Sequence, residues 1–104
     1  MNEKIKRFNT FKEFYPYYLA EHKNIICRRL HVTGSVLVIF VLLLTLFSGN
    51  WYLLFFIPLL GYGFAWVGHF FFEKNKPATF KYPFYSFLGD WVMFWQVLTR
   101  KIKL

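Results

Sequence analysis

The chain has 104 residues, of which 57% are hydrophobic and 25% aromatic, and its formal net charge is +8. A soluble domain of this size buries only a modest share of its surface, so this much apolar material requires lipid as a second solvent. The basic balance alone would suit nucleic acid or an anionic membrane surface, and the hydrophobicity decides against nucleic acid. The lone Cys27 excludes an internal disulfide, and the length predicts a single membrane-embedded domain over residues 1–104.

The first element in chain order is an interfacial helix, which we expect at about residues 10–27, where aromatic and charged side chains occur together. Two apolar runs without formal charge follow at 32–47 and 51–72. A helix needs about 20 apolar residues to cross the hydrocarbon core, a length that the first run reaches if residues 29–31 open the same helix. We therefore predict spans at about 29–48 and 51–72, joined by a tight turn at "SGN".

Loop charges set the orientation of this predicted hairpin. Seven lysines and arginines lie before the first apolar run, three lysines follow the second run before residue 83, and the tip has none. Because basic loops stay in the cytoplasm, both open ends of the hairpin and both termini should be cytoplasmic. The membrane would be the inner membrane of a bacterium or the endoplasmic reticulum of a eukaryote.

The last apolar run, "PFYSFLGDWVMFWQVL" at 83–98, is short and contains Gly89 and Asp90. If it crossed the membrane, the basic side chains of the following "TRKIKL" would lie on the wrong side. We expect an interfacial helix at about 84–99 instead. The predicted fold class is therefore all-α: an integral membrane helical hairpin with flanking interfacial helices.

The three histidines of the chain, His22, His31 and His69, share one predicted depth. Counted from Gly49 at the hairpin tip with a rise of about 1.5 Å per residue, His31 and His69 both lie roughly 27–30 Å away. That distance reaches the opposite edge of the hydrocarbon core, where the helix that carries His22 should also lie. Three imidazoles can therefore converge at the cytoplasmic face of the membrane.

Convergence requires a break in the helix between His22 and His31. In one straight helix a separation of nine residues, at about 100° per residue, would turn the two side chains to opposite sides. The segment around Asn24 could supply the break. Glu73 lies four residues beyond His69 and shares its face if the helix continues.

Neutral imidazoles bind zinc, iron and copper well, and three protein ligands leave positions open for oxygen or substrate. The alternative is that each histidine is a polar residue of the membrane interface, because the spacing matches no strong metal motif. Arg28 and Arg29 could hold a carboxylate or phosphate, or could anchor a helix end at the headgroups. Asp90, amid apolar residues, is a further functional candidate that could instead cap a helix or pair with a lysine.

Two stretches carry a family resemblance, "FYPYYLAEHKNIICRRLHVTG" (14–34) and "GYGFAWVGHFFFEKNKPATF" (61–80). They resemble the 2-hydroxy fatty acid dioxygenase family, and the similarity extends over most of the chain. The resemblance implies an integral membrane enzyme that uses Fe(II) and oxygen to shorten a 2-hydroxy fatty acid by one carbon. It implies iron binding at the matching positions, which are His22, His31 and His69, with Asn24 and Glu73 alongside.

This compact chain resembles the shorter bacterial members of that family. We expect an iron-dependent dioxygenase whose partners are a lipid-derived 2-hydroxy fatty acid, oxygen and membrane lipids. Arg28, Arg29 or Lys76 would neutralise the substrate carboxylate. Two alternatives stay open: a non-enzymatic membrane scaffold or partner-binding protein, and a haem-binding membrane protein with two histidines as axial ligands. The sequence leaves open the identity and chain length of the substrate, the metal bound and the oligomeric state. It also leaves open whether Glu73 or Asp90 joins the site and whether the segment 84–99 spans the membrane or lies on it.

Overall fold

The computed structural model describes residues 8–104, and within them the chain forms four α-helices and no strand. The prediction of an all-α fold is confirmed. Residues 1–7, which carry three of the basic side chains used to predict the topology, lie outside the described residues. The helices are α1 (Phe11–Ala20), α2 (Ile25–Ser48), α3 (Phe56–Val67) and α4 (Pro83–Leu98). Two short 3-10 helices, Trp51–Phe55 and Ala78–Phe80, and a π-helical segment, Gly68–Glu73, complete the described elements.

The central feature is a hairpin of α2 against α3. Its turn follows Ser48, where Gly49 adopts a left-handed conformation (φ 74°) and donates its N–H to the carbonyl of Thr45 at 2.8 Å. This is the αL form of helix end that glycine adopts without strain. A Cβ atom placed on Gly34 would lie 3.0 Å from the carbonyl oxygen of Leu60, so the two helices approach to backbone contact.

Two helical stretches are long and apolar enough to cross a membrane, Ile25–Ser48 with 24 residues and Trp51–Glu73 with 23. Of their most apolar windows only 33% and 17% is buried within the chain, so neither stretch is the buried core of a soluble fold. Two long helices with this much exposed apolar surface need lipid or a partner to cover it. The exposed side chains on it include Phe40, Leu46, Phe47, Phe55, Leu59 and Phe71.

The helix α1 packs against α4 at the open end of the hairpin, and α4 also contacts α2. Their shared core contains Phe14, Tyr18 and Met93, each no more than 1% exposed. A Cβ on Gly89 would lie 2.9 Å from the Tyr18 ring, so only glycine lets α4 come this close to α1. The open end of the hairpin therefore holds a second, aromatic core.

Two helix boundaries differ from the sequence prediction. The N-terminal helix ends at Ala20 instead of continuing to residue 27, and α2 begins at Ile25, ahead of the predicted start at residue 29. The reason is Asn24, whose side-chain oxygen accepts hydrogen bonds from the N–H groups of Ile26 (2.9 Å) and Cys27 (3.2 Å). Such an N-cap satisfies backbone donors that a starting helix leaves free, so a new helix starts here.

Candidate metal centre

The side chains of His22, His31 and His69 meet where α1, α2 and the π-helical segment come together. The Nε2 atom of His22 lies 3.0 Å from Nε2 of His31 and 3.0 Å from Nε2 of His69. The three residues are 1%, 8% and 1% exposed. The structure thus brings together the three histidines that the sequence places at one depth.

The local chain path explains how each ring reaches this point. His22 lies in the turn after α1, and the predicted break at Asn24 is present, so His22 and His31 can face each other. His69 belongs to the π-helical segment Gly68–Glu73, which follows α3 directly. Segments of π-helix are rare and are found preferentially at functional sites.

The second ring nitrogen of His22 and of His31 faces a backbone carbonyl of its own helix. Nδ1 of His22 lies 2.6 Å from the carbonyl oxygen of Tyr18, and Nδ1 of His31 lies 3.2 Å from that of Cys27. A carbonyl oxygen can only accept, so each Nδ1 carries the proton and donates it. Nε2 of both rings therefore presents a lone pair.

Asn75 gives His69 the same arrangement. Nδ1 of His69 lies 2.7 Å from the side-chain oxygen of Asn75, and the amide nitrogen of Asn75 donates to the backbone and side-chain oxygens of Glu21, both at 3.1 Å. Those two bonds fix the orientation of the amide, so its oxygen must face His69. The Nε2 atom of His69 is thus the third lone pair in the cluster.

Three lone pairs at this separation repel one another unless a cation lies among them. Protonation does not relieve the repulsion, because burial holds the pKa of His22 well below its usual value and the neighbouring His31 and His69 lower it further. Neutral imidazoles are the form that metals require. Two nitrogens that bind one metal at right angles, each at about 2.1 Å, lie about 3.0 Å apart. The donor set therefore fits a first-row transition metal ion.

A carboxyl group lies beside the cluster. Oδ1 of Asp90, on α4, is 3.8 Å from Nε2 of His31, and it accepts a short hydrogen bond from the hydroxyl of Tyr18. The Tyr18 ring stacks on His22, with centroids 4.1 Å apart. Burial raises the pKa of Asp90 to about 7, and the bond from Tyr18 works in the opposite direction. The sequence singled out Asp90 from its apolar surroundings and gave no signal for Tyr18.

Glu73 points at the backbone instead of at the imidazoles. Its carboxylate accepts from the N–H groups of Lys23 (3.0 Å) and Asn24 (2.6 Å). Asn24 in turn donates from its side chain to the carbonyl of Phe72 at 3.3 Å. These bonds fasten the π-helical segment to the turn that carries His22. Glu73 and Asn24 therefore help to position the histidine cluster.

Cys27 belongs to the same group of possible metal ligands, whose donor atoms all lie within 4.8 Å of one another. Its sulfur, however, lies 3.9 Å from Nδ1 of His31, the nitrogen that faces away from the other two rings. A Cβ on Gly68 would meet that sulfur at 3.0 Å. The Cys27 side chain therefore packs at the close contact between α2 and the π-helical segment.

The three basic residues predicted to bind substrate lie outside the cluster. Arg28 donates from Nε to the carbonyl oxygen of His22 at 2.9 Å, and Arg29 donates to the main-chain oxygen of Leu104 at 3.1 and 2.5 Å. Lys76 is exposed in the loop after the π-helical segment. Their role in binding a carboxylate stays a prediction.

Sequence reasoning missed Asn75, although it stands in the stretch that carries the resemblance. Its position depends on Lys74, which adopts a left-handed conformation (φ 64°) and turns the chain back, so that the N–H of Asn75 donates to the carbonyl of His69 at 3.0 Å. Nothing in the residue types of this loop predicts that reversal, because a non-glycine residue seldom adopts positive φ.

Fold and site together define a class: an all-α protein with two helices fit to span a membrane and a buried cluster of three histidines at their open end. The model of the family described as 2-hydroxy-palmitic acid dioxygenase Mpo1-like matches residues 8–102. The chain belongs to that family, and the resemblance stated from its sequence motifs is confirmed. No curated protein and no solved structure matches the chain.

Proposed function

We propose that this protein is an Fe(II)-dependent dioxygenase of a membrane that shortens 2-hydroxy fatty acids by one carbon. The observation that carries the proposal is the convergence of three buried Nε2 lone pairs, 3.0 Å apart in two of the pairs. The description of the family supports the class of reaction and substrate.

The reaction balances without an external reductant. One 2-hydroxy acid and one O₂ give the acid one carbon shorter, one CO₂ and one water. The bond between C1 and C2 breaks, C1 leaves as CO₂, and C2 is oxidised from a secondary alcohol to a carboxylic acid. The substrate loses four electrons in total, and they reduce both oxygen atoms of O₂.

In this proposal His22, His31 and His69 hold the metal through Nε2. Bound there, Fe(II) would supply the one-electron chemistry that O₂ requires and a positive charge toward which the 2-hydroxy carboxylate is oriented. Asp90 favours iron over zinc, because imidazoles combined with one carboxylate are typical of non-haem Fe(II) oxygenases.

The surrounding residues keep these donors in place. Tyr18 stacks on His22 and donates to Asp90, and burial raises the pKa of Tyr18 well above its usual value, so its hydroxyl stays a donor. Asn75 holds the proton of His69 on Nδ1. Such partners orient ligands and tune the metal, and their removal typically weakens metal binding about 10- to 100-fold.

The haem alternative fits the geometry less well. Two axial ligands on opposite faces of a haem lie about 4 Å apart, which is twice an iron–nitrogen bond. The Nε2 atoms of His22 and His31, like those of His22 and His69, are 3.0 Å apart. This separation supports a single metal ion held by neighbouring imidazoles.

The test combines metal analysis with product analysis. Protein purified without oxygen should contain about one iron per chain, and with O₂ it should convert 2-hydroxypalmitic acid to the acid one carbon shorter, detected by mass spectrometry. Palmitic acid should scarcely react. His69→Ala should lose iron and activity, whereas Thr33→Ala, an exposed change on the helix of His31, should keep both. Wild-type protein with bound iron but no shortened acid would refute the proposed reaction.

A further inference from the structure

A cavity of about 250 Å³ adjoins the candidate metal centre. Its lining at one end includes His31 and Asp90, and elsewhere it includes Val38 and Gly61. Most of its lining is apolar, and Ser35 adds a hydroxyl one helical turn beyond His31. One end of the cavity is therefore shared with the proposed site.

The cavity extends toward the hairpin tip. Val38 lies seven residues beyond His31 on α2, which is about 10 Å along the helix axis. Gly61 on α3 is level with it, because a Cβ on Gly61 would lie 3.6 Å from Cγ2 of Val38. The cavity thus runs from His31 alongside the packed contact between α2 and α3, toward the depth of the hydrocarbon core.

The side of the cavity is open between α3 and α4. Tyr62 on α3 and Phe87 on α4 both line it, and they are 43% and 54% exposed. In a bilayer this opening faces lipid. A volume of about 250 Å³ lies just below the range of roughly 300–1,000 Å³ typical of ligand pockets, so it suits part of a long chain.

We propose that this cavity binds the acyl chain of the substrate, which comes in sideways from the bilayer between α3 and α4. The carboxylate end of the substrate lies at His31 and Asp90. The adjoining part of its acyl chain fills the cavity at Val38 and Gly61, and the remainder of the acyl chain stays in lipid. The inference rests on the proposed function for the identity of the substrate.

The length of the cavity predicts which substrates a bulky side chain at position 61 would exclude. An extended alkyl chain advances about 1.2 Å per carbon, as an extended backbone does per bond. Some 10 Å of cavity therefore holds about eight carbons. A bulky residue at position 61 should exclude 2-hydroxypalmitic acid and spare 2-hydroxyhexanoic acid, whose chain ends before that level.

Gly61→Leu and Gly63→Leu form a matched pair on α3. Both remove a helical glycine, with a similar gain in helix propensity. The Cβ of residue 61 would make an ordinary contact with Val38, whereas a Cβ at 63 would meet nothing within 4 Å. Gly61→Leu should lower kcat/KM for 2-hydroxypalmitic acid at least about tenfold, mainly through KM, because a pocket discriminates by such factors per group excluded. With 2-hydroxyhexanoic acid, and for Gly63→Leu with either acid, the change should stay within about twofold.

A binding measurement separates this inference from the proposed reaction. A 2-hydroxy fatty acid with a diazirine near mid-chain, irradiated without oxygen, should form adducts within residues 35–38 and 57–61. Gly61→Leu should abolish those adducts, and Gly63→Leu should not. Adducts confined to Phe47 and Phe55 on the outer surface, or equal loss of turnover for both acids in Gly61→Leu, would overturn the inference. Adducts in the cavity without turnover by wild-type protein would support it and count against the dioxygenase reaction alone.

Discussion

Nε2 of His22 lies 3.0 Å from Nε2 of His69, although the two residues are 47 positions apart in the chain. The contact joins the turn after α1 to the π-helical segment after α3. Asn75 braces it by bonding to both His69 and Glu21, and Glu73 braces it by bonding to the backbone of Lys23. The cluster is therefore assembled by side chains that link two distant segments of the chain.

Asn75→Ala should weaken iron binding about 10- to 100-fold, because Nδ1 of His69 loses the acceptor that fixes its proton. Asn75→Asp keeps an acceptor for Nδ1 and loses the bonds to Glu21, so its loss should be smaller. Titration of Fe(II) into metal-free protein measures both. Lys81→Ala, an exposed change in the same loop, should bind iron as wild type does. Equal affinities for Asn75→Ala and wild type would contradict the role given to Asn75.

Glu73→Ala should destabilise the fold by about 1–3 kcal/mol, because it leaves the N–H groups of Lys23 and Asn24 without their charged acceptor. Glu73→Gln keeps one acceptor oxygen and should lose less. Thermal unfolding in detergent, measured on metal-free protein, gives the comparison. If Glu73→Ala instead left stability unchanged and removed iron, Glu73 would be a metal ligand and its bonds to the turn would be incidental.

Gly68→Ala should destabilise the protein by about 1–3 kcal/mol, because the new Cβ would lie 3.0 Å from the sulfur and 3.1 Å from Cα of Cys27. A backbone atom cannot move aside as a flexible side chain can, so Cys27→Ala should rescue Gly68→Ala only in part. Gly63→Ala is the matched control, since its Cβ meets nothing within 4 Å. The same unfolding assay distinguishes them, and similar stabilities for the two alanine variants would show that this helix contact is looser than described.

The topology prediction can be checked with single cysteines at Asn50, in the hairpin turn, and at Lys81, in the loop before α4, both in a Cys27→Ser background. Because the lysines and arginines flank the open end, Lys81→Cys should be shielded from a membrane-impermeant thiol reagent on intact bacterial cells. Asn50→Cys should react. Labelling at position 81 with none at position 50 would reverse the orientation. Lysed cells, in which both should react, are the control for accessibility.

The sequence by itself determined the hairpin and the common level of the histidines. Apolar run length and the turn at Gly49 are local properties, and the rise per residue converts position into depth without knowledge of packing. The similar distances of His31 and His69 from the tip follow from these alone. The break at Asn24 is also local, because a side-chain N-cap bonds to residues two and three positions ahead.

Only the tertiary structure decided which atoms of the rings meet and what surrounds them. The direction of a side chain around its helix depends on how the helix is wound, and the π-helical segment changes the winding at His69. The left-handed residue Lys74 then brings Asn75 back to that ring. Tyr18 meets Asp90 across 72 positions of sequence because α1 packs on α4. Local helix geometry sets how deep each histidine lies along the hairpin. Which donor atoms meet at the site depends on how the helices pack against one another, and residue types alone do not specify that packing.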